Sequence, residues 1–250
     1  TITGSKTVTV TDNINPTITP GANIAVNTDA GVCTASVVVA DAVFADNCSG
    51  ATIAYTLSGA TIKASTAGQV GTFTFNKGIT TINYTVTDAV GNTITGSKTV
   101  TVTDNINPTI TPGANIAVNT DAGVCTASVV VADAVFADNC TGAAIAYTLS
   151  GATIKALTAG QVGTFTFNKG VTTINYTVTD AVGNTITGSK IVTVTDNINP
   201  TITAGANQTA NTDAGVCTAS VVVADAVFAD NCTGATIAYT LSGATIKAST

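Results

Sequence analysis

A period of 92 residues governs this chain. Thr-Ile-Thr-Gly-Ser-Lys begins at Thr1, Thr93 and Thr185, and Asp-Asn-Ile-Asn-Pro begins at Asp12, Asp104 and Asp196. The cysteines keep the same interval, at Cys33, Cys125 and Cys217 and again at Cys48, Cys140 and Cys232. Residues 1–92 and 93–184 differ only at Ser49/Thr141, Thr52/Ala144, Ser65/Leu157 and Ile79/Val171, and the third copy drifts mainly at Ala204, Gln208, Thr209 and Ala210. A repeat of this length is a small domain rather than one turn of a solenoid, so the chain reads as a tandem array of near-identical domains.

The segment Asp12-Asn13-Ile14-Asn15-Pro16 marks the domain boundary. Pro ends a strand and fixes the chain direction, while Asn and Asp favour turns. Cutting there makes residues 1–11 the last strand of a preceding repeat, 12–103 and 104–195 two complete repeats, and 196–250 an incomplete one. The third unit stops at the equivalent of Thr66 and lacks three strands of its own sandwich. The expectation is an internal piece of a longer array, with the third unit ordered only where more chain, or a neighbouring chain, completes it.

Within a repeat the pattern is that of strands. Ile82, Tyr84 and Val86 interleave with Thr81, Asn83, Thr85 and Thr87; Val100 and Val102 interleave with Thr99, Thr101 and Thr103; Phe73 and Phe75 interleave with Thr72 and Thr74. Period two with one apolar and one Thr-rich face is a half-buried strand, and β-branched Thr covers the wet face without charge. Thr17–Thr19, Asn23–Asn27, Cys33–Ala40, Thr52–Leu57 and Thr61–Ala64 are further strand candidates. About seven short strands separated by Gly and Asn turns predict an all-β, Ig-like sandwich for each repeat, in an elongated array. Tyr84, just before the Asp88–Asn92 hairpin, stands where such folds place a tyrosine corner, or simply faces the core.

Composition narrows the chemistry. The chain has no His, its 14 acidic residues are all Asp and its 8 basic residues all Lys. Imidazole bases, guanidinium clamps and Glu acid–base pairs are therefore absent, and an enzyme is not expected. A net charge of −6 argues against nucleic acid as a partner, and no apolar run reaches the length of a membrane span. Sugar-binding platforms favour aromatics, yet aromatic residues are only 5% of the chain and mostly in core-facing pattern.

Each complete repeat holds two cysteines 15 positions apart. A regular pair per domain in an acidic, Thr-rich array points to an oxidising compartment. The spacing leads us to expect a bridge within each repeat, Cys33–Cys48 and Cys125–Cys140, closing a short loop for roughly 3 kcal/mol. Free buried thiols and bridges between neighbouring repeats are the alternatives; two Cys without His make a poor metal site.

The order of motifs carries a family resemblance. Asp12–Ile18, then Ala22-Asn23-Ile24-Ala25-Val26, Gly31-Val32-Cys33, Ala45-Asp46-Asn47-Cys48 and Gly78–Asn92 together resemble the hyalin repeat (HYR) domain over the whole unit. The resemblance implies a fold similar to Ig-like and fibronectin-type sandwiches, and a place in extracellular or adhesive proteins, bacterial rather than animal given such identical copies. Pro20-Gly21 stands where many hyalin repeats carry a Cys, so one bridge usual in that family is missing.

The boundary segment also looks like the Asp/Asn-rich, Pro-ended linkers of cadherins, which hold Ca²⁺ between domains. Hard cations want six to eight oxygens from Asp, Asn and carbonyls. In the second repeat the candidates are Asp104, Asn105 and Asn107 of the linker, with Asp133, Asp138, Asn139 and the segment from Asp180 to Asn184 in the two loops at the entry end. The plainer reading is that these residues cap turns. Asn47 and Asn83 sit in glycosylation-type triplets, and an isopeptide bond from Lys6 or Lys98 on the last strand to Asn is conceivable but not expected, since the Glu that assists it is absent. The leading functional expectation is a stalk or filament segment of an extracellular surface protein, whose partners are neighbouring repeats and laterally associated copies. The alternative is an adhesin whose repeats themselves grip a glycan or protein.

Overall fold

The computed structural model describes residues 2–245, and all its regular structure is β. The first repeat supplies β1 (Thr17–Thr19), β2 (Ile24–Asn27), β3 (Thr34–Val39), β4 (Val43–Ala45), β5 (Thr52–Gly59), β6 (Lys63–Ala67), β7 (Gly71–Asn76), β8 (Gly78–Thr87) and β9 (Thr93–Thr103). The second repeats them as β10 (Thr109–Thr111), β11 (Ile116–Asn119), β12 (Thr126–Val131), β13 (Val135–Ala137), β14 (Ala144–Gly151), β15 (Lys155–Ala159), β16 (Gly163–Asn168), β17 (Gly170–Thr179) and β18 (Thr185–Thr195). The third contributes β19 (Thr201–Thr203) and β20 (Val227–Ala229).

A five-stranded sheet in the order β2-β9-β8-β5-β6 is faced by the pairs β3-β7 and β1-β4, and the second repeat has the same sheets. β5, β8 and β9 take the places of the C, F and G strands of an Ig-like sandwich, β6 that of C′, and β3 and β7 those of B and E. The edge of the large sheet is closed by a parallel pairing of β2 on β9, Ile24 opposite Val100 and Val26 opposite Val102.

The Thr/apolar alternation places the core. On β8, Thr80, Ile82, Tyr84 and Val86 point inward and are fully buried, together with Phe75 and Val100. Each such large side chain contributes roughly 1.5–3 kcal/mol. The inward Thr80 is not an error in the pattern. Its hydroxyl accepts from the Thr61 amide at 3.1 Å, and the Thr61 hydroxyl accepts from the Asn76 amide at 2.8 Å, so the β7 end is tied across the sandwich. Gly96 stands opposite Tyr84 on β9. A Cβ there would meet Pro20 Cγ at 2.8 Å, so Gly is what lets the β1–β2 connection lie on the sheet.

Three positions singled out in the sequence have the following surroundings. Tyr84 is a core residue, but its hydroxyl has no hydrogen-bond partner, so the tyrosine-corner bond is not made. Lys98 is buried with its Nζ 5.9 Å from the Tyr84 ring centre, and it donates to the Ala40 carbonyl at 2.7 Å. Burial pushes its pKa down, opposed by the Asp41 carboxylate. Residues 2–11 repeat the sequence of β9 letter for letter, yet form no strand. β9 itself is paired on both sides, by β8 and β2. Residues 218–223 likewise carry the β3 sequence without being a strand.

Contacts group the chain into two compact units. One is Thr1–Thr109 with Phe136–Ala144 and Val178–Ile186; the other is Ile110–Val135, Ile145–Thr177 and Thr187–Thr250. The two loops of the second repeat that carry Asp138, Cys140, Asp180 and Asn184 thus belong with the first sandwich. Among the described residues no helix is long and apolar enough to cross a membrane.

Candidate cation site and inter-repeat cystine

Three short segments build the site. The linker begins at Asp104, whose Oδ1 accepts from the Ile106 amide at 3.3 Å, a local Asx turn. The loop between β13 and β14 carries Asp138-Asn139-Cys140, with the Cys140 amide donating to Asp138 Oδ2 at 3.2 Å. The hairpin between β17 and β18 closes on Asp180. Its Oδ1 accepts from the amides of Val182, Gly183 and Asn184 at 2.9, 2.7 and 2.7 Å, with Gly183 at φ 98° making the turn. The Asn184 side chain clamps the hairpin to the linker, donating to Asp180 Oδ2 at 2.8 Å and to the carbonyls of Asp104 and Ile106 at 3.3 and 3.4 Å.

These turns bring carboxylate oxygens of Asp104, Asp138 and Asp180 within 4.8 Å of one another. Asp104 is 3% exposed, and its Oδ2 has no hydrogen bond, nor do the buried Asp138 Oδ1 and Asn139 Oδ1. Lys77 of the first repeat holds its Nζ 3.8 Å from Asp104 Oδ2. Three carboxylates and one ammonium leave two net negative charges around unpartnered oxygens. That donor set is all oxygen and fits a hard divalent cation, with water completing the shell. Burial alone would push the Asp180 carboxyl up, but hydrogen bonds from the Asn184 side chain and the hairpin amides outweigh it and hold the pKa below the usual value.

Of the linker residues expected at the site, Asp104 supplies the carboxylate of the trio. Asn105 and Asn107 are exposed, and the exposed Asp133 is not among the converging carboxylates. Lys77 was not anticipated; it is the single residue between β7 and β8, and nothing in its local sequence points to a carboxylate of the next repeat. Asn47 is exposed, and the Asn83 side chain donates to Ser58 Oγ at 3.2 Å.

The cysteines pair differently from the expectation. Cys33 is bonded to Cys140, and Cys125 to Cys232, each across a sequence separation of 107; Cys48 and Cys217 are free and exposed. The expected Cys33–Cys48 and Cys125–Cys140 bridges are therefore absent. Cys33 immediately precedes β3, whose six residues carry the chain about 20 Å away. β3 pairs with β7, and β4 with β1, so nothing folds Cys48 back onto Cys33. Its partner is instead the copy of Cys48 one repeat further on.

The amide beside that cysteine makes the same reach. Asn139 Nδ2 donates to the Val32 carbonyl at 3.1 Å, to Thr28 Oγ1 at 3.4 Å and to Asp104 Oδ1 at 3.2 Å. At the next junction Asn231 Nδ2 donates to the Val124 carbonyl at 3.0 Å and to Thr120 Oγ1 at 3.3 Å, and Lys169 pairs with Asp196 at 3.3 Å. The cystine, the amide bridge and the ammonium–carboxylate contact thus recur as a set.

No family model and no curated protein matches the chain. Among solved structures it is similar to Drosophila N-cadherin EC1-4, at 16% identity over 74% of this chain and 50% of that one, with a TM-score of 0.37. It is also similar to mouse cadherin-23 EC22-24, at 16% over 74% and 69% with TM-score 0.34. The fibronectin(III)-like modules of Clostridium thermocellum CbhA match at 14% over 72% and 94% with TM-score 0.28. The chain spans about half the length of the N-cadherin structure. At that level of likeness, fold and site stand on the chain's own geometry.

Proposed function

We propose that this chain is a segment of an extracellular stalk or filament in which cystines carry load from repeat to repeat. The observation that supports this reading is the pairing of Cys33 with Cys140 and of Cys125 with Cys232. The two bridges overlap in sequence. A force entering at Cys33 crosses to Cys140, runs back to Cys125 and crosses again to Cys232. Between bridges the covalent path is only the stretch from Cys125 to Cys140, which extends to about 50 Å. The whole repeat, unfolded, would extend to about 310 Å. Each sandwich is thereby bypassed, and its unfolding adds little length. Such bridges persist in oxidising surroundings, as at a cell surface, and near-identical copies suit a bacterial surface fibre built for length.

Ca²⁺ is the conditional helper at the junction. Asp104, Asp138 and Asp180 repel one another where they converge, and a divalent cation removes that repulsion and adds oxygen coordination. Asn139 Oδ1 is a further ligand within the same loop.

Single-molecule pulling from the two chain ends tests the reading. Under oxidising conditions the length gained on unfolding each bridged repeat should stay below about 50 Å; with dithiothreitol it should rise to about 300 Å. Equal gains in both conditions would contradict a load-bearing role for the cystines.

A further inference from the structure

Both halves of the Cys33–Cys140 cystine are tied to the carboxylate cluster, each through an adjoining residue. On one side, the Cys33 carbonyl accepts from the Lys77 amide at 3.1 Å, and Lys77 Nζ lies 3.8 Å from Asp104 Oδ2. On the other, Asp138, Asn139 and Cys140 are consecutive, and the Cys140 amide donates to Asp138 Oδ2 at 3.2 Å. Asn139 joins the two halves. Its Nδ2 donates to Asp104 Oδ1 at 3.2 Å, to the carbonyl of Val32, the residue before Cys33, at 3.1 Å, and to Cys140 Sγ at 3.5 Å.

The Asn139 amide is a group of a different kind from the carboxylates, and it points to a cation as they do. Its nitrogen is engaged by several acceptors, so the amide cannot be turned over, and its Oδ1 is left buried with no donor. The Asp104 side chain is wholly buried, and its Oδ2 accepts no hydrogen bond. Buried acceptors without donors are destabilising unless a cation takes the donor's place. Closing the cystine therefore holds three carboxylates and an unpaired amide oxygen together out of water. Lys77 offsets one of the three charges. Without a further cation the remaining repulsion works against the bridge; with one, the same packing becomes coordination.

We infer that the Cys33–Cys140 cystine and a divalent cation held by Asp104, Asp138, Asp180 and Asn139 are linked: the bound cation protects the bridge from reduction, and reduction loosens the cation. This rests on the cation reading proposed above. The linkage is reciprocal, so the factor by which the bridge tightens cation binding is the factor by which the bound cation disfavours reduction. Lys77 sets its size. Its ammonium competes with the cation for Asp104 Oδ2, and it keeps the bridge partly stabilised when the cation is withdrawn. The joint is thus locked against thiols by Ca²⁺ in its surroundings. In the reductive step, one thiolate of a dithiol such as dithiothreitol attacks a cystine sulfur and releases the other protein sulfur as thiolate. The second dithiol thiolate attacks the reagent's sulfur in the mixed disulfide and expels the remaining protein thiolate. One protein cystine and one dithiol become two protein thiols and one cyclic disulfide.

The test equilibrates the 250-residue chain in dithiothreitol redox buffers with Ca²⁺ or EDTA at matched ionic strength. Thiols are then trapped by alkylation, and Cys33–Cys140 is quantified by mass mapping. Saturating Ca²⁺ should shift the equilibrium at least about tenfold toward the cystine, which is about 30 mV. D104N should abolish the shift. K77A should ease reduction in EDTA and enlarge the Ca²⁺ shift. By reciprocity, C33S should bind Ca²⁺ at least about tenfold more weakly in calorimetry, at the site that D104N removes; the redox measurement decides the matter if that variant does not fold. Equal midpoints in Ca²⁺ and EDTA, a shift that survives D104N, or one that does not grow in K77A would each overturn the inference. Ca²⁺ bound to the oxidised chain with no movement of the midpoint sinks the inference alone. No Ca²⁺ bound at all sinks the cation reading with it.

Discussion

Two faces of this molecule have the same residues and different surroundings. Asp104, Asp138, Asn139 and Cys140 form a face packed by Thr28, Val32, Cys33 and Lys77; Asp12, Asp46, Asn47 and Cys48 form the same face open. Residues held by their own repeat do not notice the difference: Asp88 and Asp180 are both 6% exposed, each gripped by its own hairpin. Residues held by the neighbour do. Asp104 is 3% exposed whereas Asp12 is half-buried, and Cys140 is buried whereas Cys48 is exposed. The local chain therefore prepares the face, and the adjoining repeat turns it into a buried, charged, covalent joint.

Paired substitutions at the two copies break or sharpen that contrast. The largest effect should come from the cysteines. C140S opens a loop of about 100 residues and should cost up to about 4–5 kcal/mol in the chain-entropy model, read as a lower denaturation midpoint. C48S, the same change in the open copy, should leave the midpoint unmoved; equal losses would place the bridges elsewhere.

The cation comes next. Saturating Ca²⁺ at about a hundred times its dissociation constant should stabilise the protein by about 2.7 kcal/mol, a gain that EDTA reverses. D104N should abolish the gain, while D12N should leave most of it. A melting temperature identical with and without EDTA would leave Lys77 as the main charge partner of Asp104.

Amide truncation should be smaller again. N139A removes a half-buried donor and strands the Thr28 and Val32 acceptors, costing about 1–2 kcal/mol. N47A should fall within about 0.5 kcal/mol.

The pH effect is the smallest and should be the same in both copies. Hydrogen bonds from Asn92 and Asn184 and the hairpin amides hold Asp88 and Asp180 below the ordinary carboxylate pKa despite burial pushing them up. A lowered native pKa means stability that is present above the unfolded value near 4 and is lost as pH falls through the native value. Carboxyl titration by NMR should find both groups shifted down together, and D88N and D180N should flatten the acid limb of the stability curve alike. A shift in Asp180 only would show that the neighbour, not the hairpin, sets it.

Much of this molecule was legible in its sequence, and the failures have physical causes. The period, the Thr/apolar faces of β8 and β9, and the sandwich order follow from side-chain alternation, which is local. The convergence of Asp104, Asp138 and Asp180 followed from placing the two entry-end loops of such a sandwich beside its linker. The cysteine partners were invisible because near-identical repeats make a bridge within a repeat and a bridge between repeats look the same: each cysteine has the same flanking sequence in either case.

One digestion tests the central claim most directly. Cleavage after Lys in the denatured but unreduced chain leaves Cys33 and Cys48 together in residues 7–63, Cys125 and Cys140 in 99–155, and Cys217 and Cys232 in 191–247. Bridges from repeat to repeat join these three peptides into one species that falls into three on reduction. Bridges within repeats release three separate peptides before any reductant is added, and that result would contradict the inter-repeat joint.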